Sequence, residues 1–544
     1  MSIRNAIVLL LALSTLSLLV GCGSSSPAVL PPPSGGYSDS SFSGVYVFSF
    51  SGTDITDAEN NFGSFFTAVG TLNANGSGAI TSGSMDIVDA SWAEEAGAES
   101  AVQTGIPVTG RYTVTADGRG SGTITVTAYG QTASLGIDFV LTTSSHGLIT
   151  RFDENGTGSG TLDLQDGTLT QGSLGSYAFS LSGTDPDSNA FVAAGAFTLE
   201  SNGTISTGIE DINDNKNPLT SLPLGGSVVL GSAGASGPAT LTATGSPYGN
   251  TFDVWPIDAT HLKFIEVDGV DYLEGDAFTQ ATSISAGQVV FTATGLDSSG
   301  DLLASGGFFS YDGSQLVTNG FEAINDGASS TLAQSSTVSG TMTATSGGRY
   351  ALSLSGLYNG IAGGTGTYTF AAYPTASGVL FVETDASGVT AGTAFPQTAT
   401  TLGTSQGYGL NLTGANGDGE VDDIAEFVTE TGSTLSNGFI DENDEGFTAF
   451  KQQLGSGGTY TYTGTGYGSL DYPATNSTLI GTLNLGFFVA NSSTVLFIDI
   501  DAGAQLGVGS LQAQGSDPTP ALAHTNSHFA ALRTVAALRA RQKK

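Results

Sequence analysis

Gly44-Val-Tyr46-Val-Phe48-Ser-Phe50-Ser-Gly52 alternates large apolar side chains with mostly small or polar ones. That period of two is the mark of a strand with one buried face. The motif returns as Gly175-Ser-Tyr177-Ala-Phe179-Ser-Leu181-Ser-Gly183 and as Gly287-Gln-Val289-Val-Phe291-Thr-Ala293-Thr-Gly295. A fourth copy, Gln406-Gly-Tyr408-Gly-Leu410-Asn-Leu412-Thr-Gly414, has Gln where the first Gly stood.

Two further patterns follow each first strand. One is a hairpin signal between apolar runs: Asn75-Gly76, Asn202-Gly203, Asp312-Gly313 and Thr431-Gly432. Asn, Asp and Gly accept the positive φ that tight hairpins require. The other is an apolar strand with an acidic end that runs on to a Gln. It reads Phe264-Ile265-Glu266-Val-Asp268 to Gln280, Phe381-Val382-Glu383-Thr-Asp385 to Gln397, and Phe497-Ile498-Asp499-Ile-Asp501 to Gln514. The first copy departs from it, with Ile149-Thr-Arg151-Phe-Asp153 to Gln165.

These patterns divide the chain into repeats at 38–171, 172–283, 284–401 and 402–515. Each has ordinary domain size, and the period is too long for a solenoid. The expectation is four separate all-β beads, each with its own core. Turn signals within the second repeat divide it into about eight strands in a meander. Closing such a meander removes exposed sheet edges, which favours small antiparallel up-and-down barrels. A two-sheet β-sandwich of immunoglobulin type has a similar strand count and is the alternative. The Gly-x-Tyr of the first strand resembles the Gly-x-Trp of lipocalins and avidins, over one strand.

Only 11% of the residues are charged, and the net charge is −36. Phosphate backbones need clustered Lys and Arg. Between Arg4 and Arg533 stand only Arg111, Arg119, Arg151, Lys216, Lys263, Arg349 and Lys451, all scattered, so nucleic acid is excluded as an expected partner. With Cys22 as the only cysteine, no internal disulfide is possible.

The chain opens with Arg4 and an apolar run from Ala6 to Val20, then Gly21-Cys22. A charged start, a short apolar run and small residues at the cut read as a secretory signal, residues 1–21. Leu19-Val20-Gly21-Cys22 resembles the lipobox of bacterial lipoproteins. That resemblance implies cleavage before Cys22 and acylation of its thiol, and Gly23 in place of Asp implies the outer membrane. The Ser/Pro/Gly stretch completing 22–37 cannot pack a core and reads as a tether. Taken whole, the chain resembles the tandem-repeat surface lipoproteins of environmental bacteria, a likeness that brings no catalytic residue with it. The tail, 516–544, is basic and holds a possible short helix from Ser527.

Candidate sites are few. Gly403-Thr-Ser405-Gln-Gly407 fits a nucleophile elbow in letters, yet no helix follows it, and a seam between repeats is the better reading. Asp211, Asn213, Asp441, Asn443 and Glu445 place oxygens at alternate positions, as calcium ligation requires, but the same residues commonly cap turns. Tyr460, Tyr462, Tyr467 and Tyr472 could stack on sugars or pack a strand face. No cofactor other than calcium is expected.

The expected function is therefore a non-enzymatic, lipid-anchored protein of the cell envelope. Its repeats would serve as binding, adhesion or spacer modules, with the membrane, glycans or another envelope protein as partners. One alternative makes each barrel a carrier for a small apolar ligand, which requires that Phe48, Phe179, Phe291 and Leu410 leave interior space. Another is a carbohydrate-binding or carbohydrate-active protein, with two facing carboxylates in one repeat.

Overall fold

Each first-strand motif pairs with the strand after it and also with the last strand of its own repeat. Phe48 lies across from Gly70 and Leu162. Phe179 faces Gly195 and Ala277, Phe291 faces Gly307 and Ala394, and Leu410 faces Ala425 and Leu511. A meander whose first strand bonds both its second and its last is closed. The chain thus forms four antiparallel up-and-down barrels in tandem, spanning 43–164, 176–279, 287–396 and 406–513. The sandwich alternative is set aside. In the fourth barrel one stave is divided into two short strands, Phe447–Gln453 and Thr459–Tyr462, and closure comes from pairing of Glu420–Glu430 with Thr434–Asp444. The structure is a computed structural model that describes residues 36–515, apart from 56–62, 328–330, 359–363, 417–418, 456, 474–481 and 502–504. Cys22, the tether and the basic tail lie outside the described residues.

Alternation sends Phe48, Phe179, Phe291 and Leu410 into the four barrel cores. The glycine of the second strand is there because the ring lies on its backbone. A Cβ on Gly195 would stand 2.5 Å from the Phe179 ring, and one on Gly307 would stand 2.8 Å from Phe291.

The barrels are not separate beads. They close head to tail into a ring. The second and third strands of each barrel lay their outer faces on the last strands of the next, and the fourth barrel does the same to the first. Head-to-tail contacts either close or run on as a filament; here one chain supplies all four units and the cycle closes.

Side-chain amides mark every junction. A Gln side-chain donor recurs at each repeat end: Gln165 Nε2 donates to the Pro256 carbonyl at 2.8 Å, and Gln280 Nε2 to that of Gly347 at 3.2 Å. Gln397 Nε2 donates to Val489 at 2.8 Å, and Gln514 Nε2 to Leu141 at 3.2 Å, back in the first barrel. A second amide, on the outer face of the third strand, plugs the last hairpin of the neighbour. Asn213 Nδ2 donates to the carbonyls of Glu383 and Gly388, Asn325 to those of Asp499 and Gln505, and Asn443 to those of Arg151 and Gly156. The first barrel carries Val88 at that place, and its junction is apolar: Val47, Val69 and Val88 meet Trp255, Ile257 and Ile265.

Charged and hydroxyl groups complete the joints. Arg349 grips Asp211 through Nε at 2.6 Å and Nη2 at 2.9 Å, and Tyr373 donates to the same carboxylate. Trp255 Nε1 donates to Asp86 at 2.9 Å, the matching position of the first barrel. Asp422 of the fourth barrel accepts from Thr157 and Ser159 of the first. His146 links Asp163 at 2.6 Å to Gln512 of the fourth barrel at 2.8 Å.

Small-angle scattering will separate a ring from a string: a compact body of residues 36–515 has a radius of gyration of about 23 Å, and an extended array is far larger. Asn443→Ala strips donors from buried carbonyls and will lower stability by about 2 kcal/mol, read as an earlier denaturant midpoint.

Candidate functional site

Inward positions on the first strands are Tyr46, Phe48 and Phe50 in the first barrel, Tyr177, Phe179 and Leu181 in the second, and Tyr408, Leu410 and Leu412 in the fourth. The third barrel has Val289, Phe291 and Ala293. Two truncations, Val for Tyr and Ala for Phe or Leu, remove a phenol ring and a branched or aromatic side chain from a barrel of the same strand number. Neighbours fixed in a closed sheet cannot collapse fully into such a gap. The result is a chamber inside the third barrel with a cavity volume of about 80 Å³. Val289 and Ala293 both line it, with Phe309, Met342, Leu354 and Phe370.

The polar groups of the chamber gather towards one end, where odd-numbered strands finish. Asp297 follows the first strand, Glu322 and Asp326 lie on the third strand Leu316–Asp326, and Glu383 ends the seventh strand Val379–Glu383. Glu322 accepts from Ser305 Oγ at 2.7 Å and from the Tyr358 amide at 2.9 Å. Glu383 is 2% exposed, and its Oε1 has no hydrogen-bond partner. Burial pushes Glu322 up to about 7, against those two hydrogen bonds. Burial pushes Glu383 up to about 8, against a hydrogen bond with Thr390 and with a smaller contribution from the charge of Asp385. Tyr368 donates to the Tyr358 carbonyl at 3.0 Å beside them.

The sibling barrels carry more at this end, though the second keeps a smaller space of about 50 Å³ beside Glu210. In the first, Arg151 takes the place of Glu383. Its Nη1 meets Asp54 at 2.9 Å, its Nε meets Asp153 at 3.3 Å, and the guanidinium lies over the Phe66 ring at 4.9 Å. A short helix, Ala90–Glu95, capped by the Asp89 carboxylate, brings Trp92 into that barrel's core. In the second barrel Tyr248 packs edge-on against Phe191 and donates to Asp214 at 2.8 Å. In the fourth, Asp423, Glu442 and Asp499 are buried, and all are raised by that burial.

The calcium candidates have other work. Asp211 and Asn213 belong to the junction between the second and third barrels. Asn443 belongs to the junction between the fourth and the first, where Asp441 faces Arg119 at 3.6 Å and accepts from the Lys451 amide. Glu445 is half-buried, and its amide donates to the Glu420 carbonyl. Asp211, Asn213, Asp441 and Asn443 stand on outer strand faces because the chain alternates, so they face the neighbouring barrel, while Glu445 lies in the turn that follows. Among the described residues no group of three or more His, Cys, Asp or Glu is placed to hold a metal ion.

The tyrosines do not form a sugar platform. Tyr460 and Tyr472 are buried in the fourth barrel's core, and the Gly438 amide donates to the Tyr472 hydroxyl. Tyr462 accepts from the Leu402 amide and meets Phe487 edge-on. Tyr467 stacks on Phe488 and meets Phe321 of the third barrel. Ser405 of the Gly-x-Ser-x-Gly stretch sits at φ 55° just before the first strand of the fourth barrel, with a strand and no helix after it.

No protein-family model and no curated protein matches the chain. Among solved structures, that of kievitone hydratase from Nectria haematococca overlaps it at a TM-score of 0.17 and 10% identity, covering 44% of this chain and 91% of that one. At that score the likeness carries no weight for function.

The buried carboxyls dictate a pH dependence. Burial raises Glu210, Glu322, Glu383 and Asp499 to about 8, 7, 8 and 8, from ordinary carboxyl values of 4.5 for Glu and 3.8 for Asp. The folded state therefore binds protons more tightly than the unfolded chain, and stability falls as pH rises from the ordinary carboxyl range through about 8. The melting temperature will be higher at pH 5.5 than at pH 8.5; a flat or opposite profile would contradict these shifts.

Proposed function

We propose that the chain is an exported, lipid-anchored envelope protein whose four barrels form one rigid head, and whose third barrel binds a small, mainly apolar molecule. The supporting observation is the chamber left by Val289 and Ala293, in a barrel whose siblings fill the same space with Tyr and with Phe or Leu. Its walls are apolar with a few polar groups at one end, as ligand sites commonly are. The activity proposed is binding, with no catalysis. The head closes on itself, so repetition does not lengthen it, and a spacer role loses its motive. The anchor at Cys22 rests on the lipobox resemblance, and the tether holds the head clear of the lipid surface.

The test is a neutral apolar dye, diphenylhexatriene, titrated into the protein. The wild type will bind it with a rise in fluorescence. The double variant Val289→Tyr with Ala293→Phe, which copies the first barrel, will not bind it, and will gain about 1 kcal/mol of stability from the filled space. Dye that persists in the filled variant, or no binding to the wild type, rejects the reading. For the anchor, Cys22→Ala will shift the protein from the membrane to the soluble fraction of the cell envelope; unchanged sedimentation would reject acylation there.

A further inference from the structure

We infer that the ligand of the third-barrel chamber has an apolar body and a cationic amine head, the head lying among Asp297, Glu322, Asp326 and Glu383. This deepens the chamber reading and depends on it.

The first barrel shows how this fold treats a cation at that place. Its Arg151 guanidinium is set among Asp54, Asp89 and Asp153, with direct contacts to Asp54 at 2.9 Å and Asp153 at 3.3 Å. Counting along matching strands, Asp54 corresponds to Asp297, Asp89 to Asp326 and Asp153 to Asp385. The third barrel keeps every one of these acids. It lacks the guanidinium, has Glu383 in its place, and adds Glu322 where the first barrel has Met85. No Lys, Arg or His is among the residues lining the chamber. At the rim, Lys216 of the second barrel donates through Nζ to the Ser298 carbonyl at 2.8 Å. Its charge is absent from the influences on Glu322 and Glu383, which are burial, hydrogen bonds and Asp385.

An unpartnered, almost wholly buried carboxyl oxygen is costly to keep. Glu383 Oε1 is such an atom, and it faces a space large enough to admit a donor. The second and fourth barrels also place an acid at this position, Glu266 and Asp499, but Leu181 and Leu412 occupy the interior that Ala293 leaves open. The second barrel keeps a smaller space, about 50 Å³, lined by Glu210 and Leu181 and not by Glu266, whereas Glu383 lines the larger chamber of the third. A hydrogen bond from an ionised donor to a carboxylate is about twice as strong as a neutral one, so an ammonium is favoured over a hydroxyl on the same apolar body. An anionic head would meet four acids and no cation.

The experiment is calorimetry on the mature chain carrying Cys22→Ala, so that no acyl chain competes, with octylamine, octanol and octanoate as probes. Octylamine will bind at least about tenfold tighter than octanol, and octanoate will bind weakest. Amine binding will release protons at pH 7, measured in two buffers of different ionisation enthalpy, because the ammonium replaces protons on Glu322 and Glu383. Glu383→Gln will remove most of the preference for the amine, weakening octylamine far more than octanol. Should that variant fail to fold, Glu322→Gln is the second, with the same expectation. Glu383→Arg, which copies the first barrel, will abolish octylamine binding and raise the melting temperature. Equal affinity for octanol and octylamine, a preference that survives Glu383→Gln and Glu322→Gln, or tightest binding of octanoate would overturn the amine head while leaving the chamber standing. Failure of both octanol and octylamine to bind would overturn the chamber reading and this inference with it.

Discussion

Ring closure by side-chain amides is the constraint on which the rest of the structure depends. A closed eight-stranded barrel has no free sheet edge, so one barrel cannot recognise the next by strand pairing. What remains at each joint are backbone carbonyls at hairpin ends, where the ladder stops. A carboxamide is suited to these, because its NH2 offers two donors and carries no charge that burial would penalise. Gln165, Gln280, Gln397 and Gln514 use it in one way, and Asn213, Asn325 and Asn443 in another. Because these bonds go to main chain, they tolerate change in the neighbour's side chains. That tolerance lets the four joints differ: an Arg–Asp grip at one, aromatic packing of Phe321 on Tyr467 at another, and a valine-lined apolar face at the joint where Val88 stands for Asn.

The ring in turn makes a hollow barrel possible. Deleting core volume from an isolated domain lets the walls relax inward and lowers its stability. In the third barrel the outer faces of the walls are held from both sides. Ala304 and Val382 lie in an apolar layer shared with Ala194, Phe488 and Ile498 of the neighbours. Gly306 brings its strand so near the Phe488 ring that a Cβ there would stand 2.5 Å away. The interior can then give up Tyr-sized and Leu-sized groups without losing the barrel's shape. The three barrels that keep Tyr and Phe or Leu on the first strand act as a frame for the one truncated there.

Much of this was legible in the chain and some of it was not, for physical reasons. The alternation around Tyr46, Phe48 and Phe50, repeated four times, reports which face is inside, and eight strands with short turns report a closed meander. The truncation to Val289 and Ala293 was also visible, since it needs only the comparison of one repeat with its siblings. What alternation cannot report is whether an outward residue meets water or another barrel. Asp211, Asn213, Asp441 and Asn443 are outward and polar, so in sequence they look like turn caps or metal ligands. In the ring they are buried, because the surface they stand on is an interface. The Gln at the end of each repeat is a recurring letter in the sequence; its purpose depends on the cyclic order of the units, which no local pattern encodes. Tyr472 and Tyr460 misled for the opposite reason, since a Tyr-rich strand has the same spacing whether its rings face solvent or fill a core.

The acid at the end of the seventh strand shows how a repeated fold can turn one structural problem to use. Every barrel finishes its odd-numbered strands at the same end, and Asp or Glu recurs there because side-chain oxygens satisfy hairpin amides, as Asp385 does for Ser387. Crowding several such groups in a narrow, dry space raises their proton affinity and opposes folding at neutral pH. The first barrel answers with an internal guanidinium from Arg151, itself raised by Asp54, Asp153 and Asp89 against the penalty of burial. In the third barrel the same crowd of acids stands beside empty apolar space, with Glu383 where the arginine would be. A group that neutralises those acids from outside then gains both the electrostatic relief that Arg151 supplies internally and the burial of an apolar body. The repeat thus carries its own explanation of specificity: the filled barrel shows which charge the unfilled one lacks.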